Sequence, residues 1–186
     1  MKSKTQNIWY LLSVIILGAG LVWIWASRID PGLSIASDSQ YARQGFLAPN
    51  FSLKSLSGDE YMLSELRGSP ILVNVWATWC PPCRAEMPAL ENVFQDYQSQ
   101  GFIILGVNAT SQDSIDAVNS FVKEYELSFP ILLDTNGDVE SIYQSKALPT
   151  SYFIDEFGII QDVVIGGPLS EALLRIRIEE LLKISK

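Results

Sequence analysis

An α/β domain with a mixed central sheet is the fold class this sequence predicts, and three observations carry that reading. Short apolar runs of strand length alternate with longer stretches whose apolar residues recur every three or four positions. A hairpin pattern and a terminal helix then close the chain, an order that gives a sheet of mixed polarity. Near the N-terminus a third kind of segment, uniformly apolar and longer than any strand, stands apart from both patterns.

That first segment, Ile8 to Ala26, reads IWYLLSVIILGAGLVWIWA and carries no charge. About 19 helical residues at 1.5 Å each reach roughly 28 Å, enough for the hydrocarbon core of a bilayer. Trp9, Tyr10, Trp23 and Trp25 stand near its ends, where interfacial aromatic belts lie. Trp23, Ile24 and Trp25 fill the place where a cleaved leader needs small residues, so an uncleaved transmembrane anchor is expected over 8–26. A cleaved leader and a buried core helix are the competing readings. Lys2 and Lys4 precede the span, and the positive-inside bias puts residues 1–7 in the cytosol and the rest outside. Residues 27–47, with Asp30-Pro31-Gly32 and a Ser/Asp/Gln-rich stretch, are expected to form a linker, leaving 48–186 for the folded domain.

Within that domain, Phe51–Lys54 and Tyr61–Leu63 flank Ser57-Gly58-Asp59 as a small hairpin. Ile71 to Ala77 is apolar except for Asn74, as in a strand buried on both faces. From Pro82 to Gln98, Met87, Leu90, Val93, Phe94 and Tyr97 fall at helical spacing. Gly101 ends that helix and Phe102–Val107 makes the next strand. Ser114–Tyr125 reads as a helix, Ile131–Leu133 as a short strand and Ser151–Ile154 as another. Ile159–Ile165 pairs with the latter across Asp155-Glu156-Phe157-Gly158, and Leu169–Leu182 is the closing helix.

The chain has 186 residues, a formal net charge of −8, no histidine and two cysteines. Its acidic balance argues against nucleic acid as a partner, because phosphate neutralisation needs clustered Lys and Arg. The missing histidine removes Ser–His and Cys–His catalysis, imidazole metal sites and histidine-ligated haem. Cys80 and Cys83 lie in Trp79-Cys80-Pro81-Pro82-Cys83, where a buried strand gives way to a helix. A zinc site needs a second pair or histidines, and haem attachment needs His where Arg84 stands. A disulfide closing so short a loop constrains the unfolded chain little. A redox pair is the remaining reading, with no metal and no cofactor. Cys80, at the helix N-terminus, is expected to be the exposed nucleophile, and the more buried Cys83 the resolving thiol.

At this point the sequence resembles the thioredoxin-like superfamily, and within it the membrane-anchored TlpA/ResA/CcmG branch of extracytoplasmic thiol–disulfide oxidoreductases. The resemblance runs through Ala48-Pro49-Asn50-Phe51, Leu63-Ser64-Glu65-Leu66-Arg67-Gly68, the stretch Val73 to Pro88, and Leu148-Pro149-Thr150-Ser151-Tyr152-Phe153-Ile154-Asp155. It implies a thioredoxin-like fold with an N-terminal hairpin and a strand–helix insertion within Val107 to Tyr143. It also implies that Pro149 is cis and faces the cysteine pair, and that the backbone at Leu148 receives the substrate chain. Trp79 then flanks the reactive sulfur on the docking surface or packs inward. Asn74 stands where thioredoxin has a buried Asp, and it cannot accept a proton. Glu86, three residues after Cys83 on the same helical face, matches an acidic position of the family and is expected to relay the proton of Cys83; the competing reading is a solvated first-turn Glu.

Pro81 and Pro82 lack N–H groups, which leaves few donors for a Cys80 thiolate and points toward a reductant. The expected activity is reduction of specific extracytoplasmic protein disulfides, such as those of apocytochrome c, with electrons from a membrane thiol donor. A disulfide oxidant, a thiol peroxidase and a Cu(I)-binding assembly factor are the alternatives.

Overall fold

The computed structural model describes residues 42–184, together with Val14, Ile16, Leu17, Gly18 and Trp23 of the N-terminal part. Those five are helical, but the expected anchor over 8–26 otherwise lies outside the described residues, as does the expected linker up to residue 41. Among the described residues no helix is long and apolar enough to cross a membrane. Of the two units into which the chain divides, Met1–Asp38 and Ser39–Lys186, the second carries the fold.

A hairpin opens it: β1 (Ser52–Lys54) pairs antiparallel with β2 (Glu60–Met62). There follow β3 (Ile71–Trp76), α1 (Pro81–Tyr97), β4 (Ile103–Asn108), α2 (Ile115–Glu124), β5 (Ile131–Leu133) and α3 (Asp138–Ile142). The antiparallel strands β6 (Thr150–Ile154) and β7 (Ile160–Ile165) and the helix α4 (Glu171–Ile184) complete the chain. The main sheet has the order β5-β4-β3-β6-β7, with β3, β4 and β5 parallel, β6 antiparallel to β3, and β7 antiparallel to β6 and so running with β3 again. The mixed sheet is therefore as the sequence predicts, and β5 with α3 falls inside the expected insertion.

Every residue of β3 is buried, which explains why its sequence is apolar without alternation. The alternation survives in direction. Leu72, Trp76, Ile104 and Phe153 meet Met87 and Leu90 of α1, Phe121 of α2 and Ile178 of α4 on one face. Val73, Val75, Tyr152 and Ile154 meet Phe51, Leu63, Val139 and Tyr143 on the other. On that second face the Tyr143 hydroxyl donates to the Pro49 carbonyl at 2.7 Å, and the Tyr152 hydroxyl to the Tyr143 carbonyl at 2.8 Å.

Two differences from the sequence reading have local causes. The expected linker boundary at residue 47 is too late. Gly45 N–H donates to the Ile160 carbonyl, Ile160 N–H to the Phe46 carbonyl, and Leu47 bridges Ile159. These are main-chain bonds to the open side of β7, and main-chain bonding leaves no side-chain pattern to read. At the opposite edge Ser55 bridges Leu132, and Leu56 N–H donates to the Ile131 carbonyl. The periodicity reading does not include α3, although it lies within the expected insertion; at five residues it is too short to show a period.

Candidate active site

The site forms where β3 leaves the sheet. Ala77-Thr78-Trp79 turns the chain, and Cys80 becomes the N-cap of α1, with Pro81 and Pro82 as its first residues. Proline suits those positions because their N–H groups have no partner inside the helix. The first N–H available beyond them is that of Cys83, and it donates to Cys80 Sγ at 3.3 Å. Cys80 and Cys83 are joined as a disulfide with Cα atoms 5.3 Å apart.

The sulfur positions differ from the sequence expectation in one respect. Cys80 was expected to be exposed, yet it is 3% exposed, and Cys83 is fully buried. Cys80 is bonded to Cys83, and both pack in the core cluster that holds Trp76, Ala77 and Met87. Cys80 nevertheless forms part of an open groove of about 530 Å³, with Trp79, Pro81, Pro82, Gln112, Glu140, Lys146 and Leu148. Trp79 is 54% exposed, and its indole N–H donates to the Gln112 carbonyl at 3.0 Å. It is thus a surface residue beside the reactive pair.

The Leu148–Pro149 bond is cis. Pro149 is buried, Leu148 half-buried, and the Pro149 carbonyl accepts from Gly166 N–H at 2.8 Å. The groove therefore brings together Trp79, Cys80 and Leu148, three residues that the sequence analysis singled out.

Glu86 lies one turn beyond Cys83 on α1 and is fully buried, so the reading of a solvated first-turn Glu does not hold. Its carboxylate accepts from Asn74 Nδ2 at 2.8 Å and from Leu169 N–H at 2.9 Å. Burial pushes its pKa above the ordinary value, although these two hydrogen bonds pull the other way. A carboxyl in this position holds a proton more tightly than an ordinary surface Glu does.

Asn74 is the central strand's only polar residue, and its amide also donates to Ser151 Oγ at 2.9 Å, across the β3–β6 pairing. Its Oδ1 is buried without a partner. The sequence marked Asn74 as unable to accept a proton but did not show that it orients Glu86.

Two further residues were missed. Gly167 admits no side chain: a Cβ there would stand 2.6 Å from Pro149 Cγ and 2.8 Å from Glu86 Oε2. Asp113 binds the turn before Cys80 through Thr78. Neither residue belongs to a motif, and each acts on positions distant in the chain.

Comparison with known proteins agrees with this geometry. The sequence matches the AhpC/TSA family over residues 45–163. It is 35% identical over 184 residues to the thiol-disulfide oxidoreductase ResA of Halalkalibacterium halodurans, covering 98% of this chain and 97% of that protein. With the thioredoxin-like protein YneN of Bacillus subtilis it shares 42% identity over 125 residues, 67% of this chain and 72% of the relative. Among solved structures, a thiol:disulfide interchange protein of the thioredoxin family from Chlorobium tepidum superposes with a TM-score of 0.67 at 27% identity, covering 78% of this chain and 99% of the other. A secreted disulfide oxidoreductase of Mycobacterium tuberculosis, described as homologous to DsbE, gives 0.64 at 28% identity, covering 70% and 96%.

Proposed function

The chain belongs to the AhpC/TSA family, a thioredoxin-like family whose ResA-type relatives are thiol–disulfide oxidoreductases, and on that premise we propose that it is a membrane-anchored reductant of protein disulfides outside the cytosol. The observation that carries the proposal is the Cys80–Cys83 pair, sharing a groove with the backbone before cis-Pro149 and lying one helical turn from the buried Glu86. Its ResA relatives are named thiol–disulfide oxidoreductases; direction, client and location are our reading.

In the forward reaction the Cys80 thiolate attacks one sulfur of a client disulfide. A bond forms between Cys80 and the client, and the client's other sulfur leaves as a thiolate. Cys83 then surrenders its proton and attacks Cys80 Sγ, closing the pair and releasing the second client sulfur. Two electrons pass to the client, and two protons complete its thiols. Glu86 is the proton acceptor for Cys83: burial raises its affinity for a proton, and Asn74 and Leu169 orient its carboxyl.

The pair ends each turnover oxidised and must be reduced again by a dithiol donor. An anchored domain is served by a donor in the same membrane, and apocytochrome c, whose haem-binding cysteines must be reduced, is the class of client we favour. Support for the anchor comes from the uncharged run 8–26 and from Val14, Ile16, Leu17 and Trp23, whose apolar side chains are each about two-thirds exposed or more. The test is the reduction potential of the Cys80–Cys83 pair in the purified full-length chain. A value below roughly −230 mV supports a reductant, whereas one above roughly −150 mV assigns the protein to disulfide formation.

A further inference from the structure

We propose that Asp113 is a positioning residue for thiol–disulfide exchange, holding the turn that presents Cys80 to its client. β3 and β4 are parallel neighbours, paired from Ile71–Ile103 to Trp76–Asn108. Their C-terminal turns therefore emerge side by side, where the sites of open α/β sheets gather. One turn leads to the cysteine pair and the other contains Asp113.

The Asp113 carboxylate accepts four hydrogen bonds. Thr78 donates twice, from its N–H to Oδ2 and from its hydroxyl to Oδ1, both at 2.7 Å. Asn108 Nδ2 donates to Oδ2 at 3.0 Å and Ser114 N–H to Oδ1 at 2.9 Å. Burial raises the carboxyl's pKa, but these bonds outweigh it and hold the group below its ordinary value. An ionised acceptor makes the stronger bonds such a clamp needs.

Thr78 is thus gripped at its N–H and hydroxyl by Asp113. Its carbonyl accepts from Arg84 Nη1 at 3.3 Å. The next residue, Trp79, is held by the Gln112 carbonyl, directly before Asp113. The same turn reaches the other side of the groove, because Ser111 Oγ and Gln112 Nε2 each donate to the Glu140 carboxylate at 2.9 Å. Asp113 therefore fixes the approach to Cys80 relative to residues that a docked client must pass. A neutral amide at this position cannot satisfy all four donors, since one of its two termini is itself a donor.

This inference rests on exchange at Cys80, whatever its direction. The experiment uses the full-length chain carrying Cys83→Ser, so that the first attack is read alone. Its rate is measured with a fluorescein-labelled peptide disulfide and with iodoacetamide, across pH. Asp113→Asn is expected to slow the peptide reaction about tenfold. The iodoacetamide rate at equal thiolate fraction should change by less than about threefold, because a small reagent needs no alignment with the groove. Thr78→Val, which removes one of the four donors, should cause a smaller loss, and the double variant no more than Asp113→Asn alone. Equal peptide rates in the Asp113→Asn and parent chains, or an equal fall with both reagents, overturn the inference. Should Asp113→Asn fail to fold, Thr78→Val decides: a selective loss of the peptide rate supports the clamp and an unchanged rate overturns it. A parent chain whose Cys80 exchanges with no disulfide overturns both this inference and the proposed function, while an oxidising potential alone affects only the latter.

Discussion

Gly167→Ala places one methyl group at the most crowded point behind the cysteine pair, and its cost follows from three distances. The new carbon meets Pro149 Cγ at 2.6 Å, Glu86 Oε2 at 2.8 Å and Pro149 Cδ at 3.2 Å. Ordinary carbon contacts lie at about 3.5–4.0 Å, so the turn after β7 must retreat by roughly 1 Å. Overpacking of this kind costs about 1–3 kcal/mol. A domain of this size loses about 2–4 °C of Tm per kcal/mol, so a fall of roughly 2–12 °C is expected. The retreat also draws Leu169 N–H away from Glu86 and moves Pro149, whose carbonyl is bonded to Gly166. A displacement of about 1 Å at a reacting site can cost a factor of about 10² in rate. Thermal unfolding and the rate of exchange with a peptide disulfide measure both effects in one preparation. A Gly167→Ala chain with the parental Tm and the parental rate refutes the close-packing argument.

Other substitutions probe other parts of the site. Glu86→Gln should change how stability depends on pH. A carboxyl whose pKa is raised in the folded state contributes most below its unfolded pKa of about 4.5, and that contribution is lost as pH rises through the folded value. The parent should therefore weaken relative to Glu86→Gln as pH rises above about 4.5; urea midpoints that keep a constant difference contradict the buried carboxylate. The same variant should slow closure of the cysteine pair about 10²-fold near neutrality, read by stopped-flow, since the acceptor for the Cys83 proton is gone. Cys83→Ser should accumulate mixed disulfides between Cys80 and client chains on a non-reducing gel, and Cys80→Ser should form none. Tyr143→Phe leaves the buried Pro49 carbonyl without its donor and should cost about 1–3 kcal/mol in denaturant unfolding, with the redox potential unchanged.

The sequence disclosed those parts of the molecule whose signal is local. Five of the six residues of β3 are apolar, and the terminal helix and both long internal helices show their buried faces at helical spacing. The cysteine pair was legible because two reactive groups three residues apart admit few chemistries. The polar framework around the pair was not. Asn74 meets Ser151 and Glu86 meets Leu169 across 77 and 83 residues, and in the second case the donor is a main-chain N–H that any residue supplies. Asp113 looks in sequence like an ordinary acidic residue near a helix start, and only the parallel pairing of β3 with β4 brings it to Thr78. Cys80 was read as exposed from its place at the helix N-terminus; bonded to Cys83, it packs with the core instead.

The segment from Ala42 to Leu66 touches the main sheet at both of its outer strands, bridging Ile159 beside β7 through Leu47 and Leu132 of β5 through Ser55. A free strand edge is a template on which a second molecule can add its own strand, and such additions propagate into aggregates. The chain's own segment 42–66 acts as a pair of stoppers, occupying part of each edge before a neighbour can. A fragment beginning after Arg67 would retain the cysteine pair, yet it would expose those edges and be prone to self-association.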